Sequence, residues 1–133
     1  MLRSSANVSD FFATLISDFE YDETTKAYIL SIFDKYKTPE FDLSKTSITL
    51  LFFDAKASND FTQYQTIGDW LLYSKSVVPE FLSDASPEYY ITIGRICYLS
   101  CYKIMNGSWG VYKNLSDDFV YITNNIHKKF ALR

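Results

Sequence analysis

The segment from Pro87 to Met105 places the strongest constraint on the fold, because its side chains are apolar almost all the way round a helix. Its only charged members are Glu88, Arg95 and Lys103. A helix of this kind is stable when neighbouring helices cover most of its surface. Its apolar part is shorter than the roughly 20 residues that cross a membrane, and Arg95 interrupts it. The segment therefore predicts the central helix of a bundle.

Apolar residues recur with the 3.6-residue period of a helix in most of the remaining chain. The predicted helices of this type cover residues 9–20, 23–37, 60–76 and 117–131. Ser9 and Ser116 are the expected N-caps of the first and the last, and the first two helices should form a hairpin. Together with the segments at 44–58 and 87–105, they predict a single all-α domain of about six helices over residues 1–133.

Residues 44–58 are ambiguous, because the run from Ile48 to Phe53 has the composition of a β-strand. An isolated strand would have no partner for its backbone hydrogen bonds. Since the surrounding pattern is helical, we predict a helix here as well.

Turn-forming residues are scarce, and their placement favours helices. The chain has 4 Gly and 3 Pro against 11 Tyr, 11 Phe and 2 Trp, which is too little turn chemistry for a sandwich of many short strands. Pro39, Pro79 and Pro87 are each followed by Glu and an aromatic residue. Proline at the first helical position with an acid in the first turn is a helix-start signal. Two of the three prolines are expected to open short single turns.

The charge balance argues against polyanionic partners. Lys and Arg number 13 and Asp and Glu 16, which gives a net charge of −3. Without a basic surface, neither nucleic acid nor an anionic membrane is an expected partner. The N-terminal residues lack the basic and apolar regions of a secretory leader, and we expect a cytoplasmic protein.

Motifs of the common catalytic and cofactor sites are absent from the sequence. The glycines do not have the spacing of a phosphate-binding loop, and neither HExxH nor CxxC occurs. Cys97 and Cys101 lie one helical turn apart in an apolar segment, and we interpret them as buried structural thiols. His127 lies in the last turn of the final predicted helix, where a positive charge is favoured. We therefore predict no catalytic residue, no metal and no cofactor.

Trp70 and Tyr73 do not fit the core stripe of their helix, which centres near Gly68 and Leu71. At about 100° per residue, both aromatic side chains project away from that stripe. Either the helix lies between two layers of the same chain, or its second face meets a partner or a ligand. Trp and Tyr are favoured interface anchors. The leading hypothesis is therefore a non-enzymatic helical interaction module that forms a homodimer through Trp70 and Tyr73.

Arg95 is predicted to need either a partner or access to water, because an unpaired buried charge is costly. Asp69 and Glu80 are the expected carboxylates. A structural ion pair is one interpretation, and an arginine that holds the carboxylate or phosphate of a small ligand is the other. The alternative function is accordingly a ligand-binding or enzymatic pocket lined by Asp69, Tyr73, Tyr90 and Arg95, with Glu80 as a further ligand-binding candidate.

Three short motifs lie between about residues 61 and 105. Residues 68–72 match GDxxL, residues 79–80 are PE, and residues 89–98 match YYxxxGxxxY. This combination resembles a pattern of uncharacterised bacterial all-helical proteins, a family without an established activity. The resemblance implies an all-α fold and a bacterial or phage source. The positions that match the pattern are Asp69, Glu80, Tyr90, Gly94 and Arg95.

Overall fold

The computed structural model describes residues 13–14, 16–17, 19–37 and 43–131. The helices defined within these ranges are α1 (Glu23–Tyr36), α2 (Ile48–Ser58), α3 (Phe61–Val77), α4 (Pro87–Ile104), α5 (Val111–Asp117) and α6 (Phe119–Ala131). A single 3₁₀ turn (Pro79–Phe81) joins α3 to α4. The described residues contain no strand, and the predicted all-α bundle of about six helices is confirmed.

Side-chain caps set the starts of the first four helices. In each case an oxygen accepts a hydrogen bond from a main-chain N–H of the first turn; the four capping residues are Asp22, Ser47, Asp60 and Ser86. Each cap satisfies a donor that has no partner within the helix. At α2, the Ser47 hydroxyl accepts from the Leu50 N–H at 3.2 Å. This local signal favours a helix for the β-like run that follows.

Helices α3 and α4 form the centre of the bundle and pack against each other. Helix α3 also contacts α6, α2 and α1, so the chain itself covers both faces of its middle part. Trp70 is 2% exposed, because the rings of Tyr36 and Phe81 pack against it. Helix α3 therefore lies between two layers of the same chain, and Trp70 packs inside the chain and does not project from it as an exposed anchor.

Gly94 permits the close packing of α6 on α4. A Cβ atom at this position would lie 2.6 Å from the Phe119 ring, which is shorter than any ordinary contact. The absence of a side chain at Gly94 therefore determines how closely the two helices approach.

The C-terminal region differs from the predicted helix over residues 117–131. The chain turns at Asp118 and forms two helices, α5 and α6. Ser116 is not an N-cap: it is buried in α5, and its Oγ donates to the Arg95 carbonyl oxygen at 2.9 Å. Helix α5 was not predicted because its two turns are too short to show a helical period.

The predicted helix over residues 9–20 lies partly outside the described residues, as do Ser9 and Pro39. Residues 13–14 and 16–17 are helical. Pro79 opens the 3₁₀ turn and Pro87 is the first residue of α4, so both are helix starts as predicted. None of the described helices combines the length and the apolar character that crossing a membrane requires.

Candidate functional site

Asp69 is a buried carboxylate held by tyrosines. It lies on α3 and is 7% exposed. Its Oδ1 accepts hydrogen bonds from the hydroxyls of Tyr28 on α1 and Tyr98 on α4, both at 2.8 Å. Burial raises the pKa of Asp69 to about 7; the two hydrogen bonds and the charge of Lys35 oppose that shift without cancelling it. The carboxyl group therefore changes its charge near neutral pH.

The tyrosines around Asp69 belong to a packed aromatic cluster. The Tyr28 ring meets the rings of Trp109 and Tyr112 edge-on, at centroid distances of 5.8 and 5.4 Å, and Tyr98 stacks on Tyr112. Burial and the neighbouring carboxylate raise the pKa of Tyr98 well above its ordinary value. The cluster connects α1, α3, α4 and α5, and Asp69 lines neither of the two cavities described below. We interpret this arrangement as structural.

A hollow of about 360 Å³ opens between the start of α2, the 3₁₀ turn and the start of α4. Trp70 and Tyr90 form its buried aromatic wall, and Phe81 and Tyr89 are exposed beside them. The Phe81 ring stacks on Trp70 with the centroids 6.2 Å apart, and the Tyr89 and Thr49 hydroxyls share a hydrogen bond. Further lining residues precede or begin α2: Leu43, Ser44, Lys45, Thr46, Ser47 and Ile48.

Helix α2 carries the most exposed large apolar side chains of the described part of the chain. Leu50 is 65% and Phe53 is 59% exposed. The two residues are three positions apart and therefore lie on the same side of the helix. Phe53 also follows the hollow-lining Thr49 by four positions, which places the ring near the hollow. We call Leu50, Phe53 and the hollow the α2 surface.

A smaller groove of about 200 Å³ lies against α4 and is lined by Thr92, Arg95, Ile96, Leu99 and Ser116. Arg95 is exposed, and its Nε donates to the Ser116 carbonyl oxygen at 3.0 Å. The predicted ion pair with Asp69 or Glu80 is wrong, since Arg95 forms no ion pair among the described residues. The guanidinium reaches water from one side of α4 and does not need a buried partner.

The candidate ligand-binding residues do not meet in either described cavity. Tyr90 lines the hollow and Arg95 lines the groove, whereas Asp69 lines neither. Tyr73 packs against aromatic rings of α1 and α3, and Glu80 is exposed on the 3₁₀ turn. The residues expected to form one pocket thus contribute to separate parts of the bundle.

Two features of these sites were missed in the sequence. No local signal links Tyr28 to Asp69, because the two residues are 41 positions apart. The exposure of α2 did have a signal: the run from Ile48 to Phe53 is apolar at nearly every position. A helix at the edge of a bundle can bury only one side, so such a run leaves apolar residues outside.

The two cysteines and the histidine line neither of the two cavities. Cys97 and Cys101 are buried free thiols, as predicted, and burial raises the pKa of Cys101 to about 12. His127 lies on α6 with its Nδ1 3.2 Å from the Ser76 carbonyl oxygen. Among the residues that the structure describes, no three His, Cys, Asp or Glu side chains are placed to hold a metal ion.

Comparisons of the chain with models of protein families, with curated proteins and with solved structures gave no match. The geometry of the α2 surface and of the groove is therefore the basis on which a function can be assigned.

Proposed function

We propose that the protein is a helical interaction module that forms a homodimer through the α2 surface. The observation that supports this is the position of an exposed aromatic side chain, Phe53, on the helix whose start forms one wall of the aromatic hollow. In a two-fold symmetric interface, both copies use the same surface, which must therefore be complementary to itself. A protruding ring and a hollow on one element meet this requirement.

A two-fold axis that crosses α2 between Thr49 and Leu50 makes the two copies of the helix antiparallel. It brings the two Leu50 side chains together near the axis. It also brings Phe53 of one copy to the N-terminal end of α2 in the other, where Thr46 directly precedes the capping Ser47. Thr46 lines the hollow, and the Phe53 ring enters there. A hollow of about 360 Å³ has room for a phenyl group, since a cavity of about 150 Å³ holds benzene.

The charges beside α2 fit the same arrangement. Lys45 and Asp54 are both exposed, Lys45 just before α2 and Asp54 in its C-terminal half, so the antiparallel arrangement brings each Asp54 towards the Lys45 of the other copy. Exposed ion pairs contribute about 0–1 kcal/mol and mainly select an orientation. Burial of Leu50 and Phe53 therefore supplies most of the binding free energy.

Light scattering during size-exclusion chromatography, over a wide range of protein concentration, tests the dimer. We expect a dimer for the wild-type chain and a monomer for Phe53→Asp, because a carboxylate would be desolvated in the aromatic hollow. Ile96→Asp is the matched control, since Ile96 is 40% exposed but lies on α4 outside the α2 surface. This control should still dimerise, and circular dichroism checks that both variants are folded.

Charge reversal tests the orientation. Asp54→Lys and Lys45→Asp should each weaken the dimer several-fold, and the double variant should restore it, because the pair is then present with its signs exchanged. A wild-type chain that is monomeric at every concentration refutes the dimer. A double variant weaker than both single variants refutes the antiparallel arrangement.

A further inference from the structure

Arg95 lies at the groove, and only one of its guanidinium N–H groups, the Nε–H, donates to a described residue. Its Nε donates to the Ser116 carbonyl oxygen at 3.0 Å, and the Ser116 hydroxyl donates to the Arg95 carbonyl oxygen at 2.9 Å. No carboxylate of the described residues forms an ion pair with the guanidinium. Because the side chain is already held by α5, less conformational entropy is lost when it binds a ligand.

The surface beside the guanidinium is mainly apolar. Ile96 and Leu99 are three positions apart and lie on the same side of α4, and Ile96 is 40% exposed. The groove measures about 200 Å³, which is less than the roughly 300–1,000 Å³ of pockets for drug-sized molecules. It therefore suits a short hydrocarbon chain.

We propose that this groove binds a short-chain carboxylate. The guanidinium of Arg95 holds the carboxylate through two parallel hydrogen bonds, which match its planar geometry. The hydrocarbon chain lies along Ile96 and Leu99. Arg95 is the only charged residue among the described groove residues, and Glu88 is exposed on the same side of α4, two turns earlier. A single positive charge with a carboxylate nearby favours a ligand with one negative charge over a doubly charged phosphate.

The groove shares no lining residue with the hollow and contains neither Leu50 nor Phe53. The carboxylate site therefore does not depend on the homodimer, and each proposal can fail without the other.

An NMR titration of the full chain with sodium hexanoate tests the site. We expect saturable shifts at the amides of Thr92, Ile96 and Leu99 and at the Nε–H of Arg95. Hexanol has the same hydrocarbon chain without the charge, and it should bind at least about tenfold more weakly, which corresponds to a loss of about 1.4 kcal/mol. This comparison uses the unaltered protein and does not depend on whether a variant folds.

Variants then assign the binding to Arg95. Arg95→Gln should weaken hexanoate binding at least tenfold. Lys103→Gln removes a cation from the same helix outside the groove, and it should leave the affinity unchanged. Equal affinities for hexanol and hexanoate, shifts confined to residues outside the groove, or wild-type affinity in Arg95→Gln would each overturn the proposal.

Discussion

Among single residues, Asp69 depends most on its tertiary neighbours. The expected partner of this carboxylate was Arg95, yet the groups that reach it are the hydroxyls of Tyr28 and Tyr98. Neutral phenols stabilise a buried carboxylate less than a guanidinium does, and desolvation favours the protonated form. The proton on Asp69 is therefore retained to a much higher pH than on an exposed aspartate.

The raised pKa of Asp69 predicts how the stability of the protein changes with pH. The folded chain keeps the Asp69 proton up to a pKa of about 7, whereas the ordinary value of 3.8 applies to the unfolded chain. Between these values unfolding releases a proton, so the free energy of unfolding falls as the pH rises and levels off above the folded pKa. Urea denaturation at a series of pH values should show this fall for the wild type and a weaker one for Asp69→Asn.

Glu20→Gln is a control for this experiment, because Glu20 is an exposed acid. The free energy of unfolding of the Glu20→Gln variant should change with pH as it does in the wild type. An Asp69→Asn variant with an unchanged slope would show that other groups cause the dependence.

Among the elements, helix starts were the easiest feature to predict and helix faces the hardest. The starts at Asp60 and Ser86 depend on hydrogen bonds within one turn, so local sequence is sufficient. The buried faces of α3 depend on how many neighbours surround it. The period of the sequence identified the stripe around Leu71, but the burial of Trp70 required knowledge of α1 and the 3₁₀ turn.

The close packing of α6 on α4 at Gly94 can be tested by substitution. Gly94→Ala should lower the free energy of unfolding by about 1–3 kcal/mol, because the new methyl group overlaps the Phe119 ring. The higher helix propensity of alanine, about 1 kcal/mol, only partly compensates. Gly110→Ala is the control, since no heavy atom of the described residues, other than its immediate chain neighbours, lies within 4 Å of its added Cβ. Equal effects of the two substitutions in urea denaturation would contradict the close contact.

In the whole molecule, the chain covers both faces of the middle part of α3, whereas α2 keeps Leu50 and Phe53 exposed. Exposed aromatic and aliphatic side chains beside a hollow are typical of interaction surfaces. The proposed dimer would bury Leu50 and Phe53, which are exposed in the single chain.

A dimer links stability to protein concentration. Since association favours the folded chain by mass action, the Tm of the wild type should rise with concentration, and that of Phe53→Asp should not. Differential scanning calorimetry over a hundredfold or so range of concentration measures this. A wild-type Tm that is constant over that range would contradict the dimer.

The sequence by itself determined the all-α class, most helix starts and the burial of Cys97 and Cys101, because caps and apolar periods act within one or two turns. Tertiary structure alone decided the partner of Asp69, the exposure of Arg95 and the burial of Trp70. These outcomes depend on which helices pack together, and the Tyr28 and Tyr98 contacts to Asp69 span 41 and 29 positions. A local pattern shows that a charged group needs solvent or a partner, but only the packed bundle determines which of them is within reach.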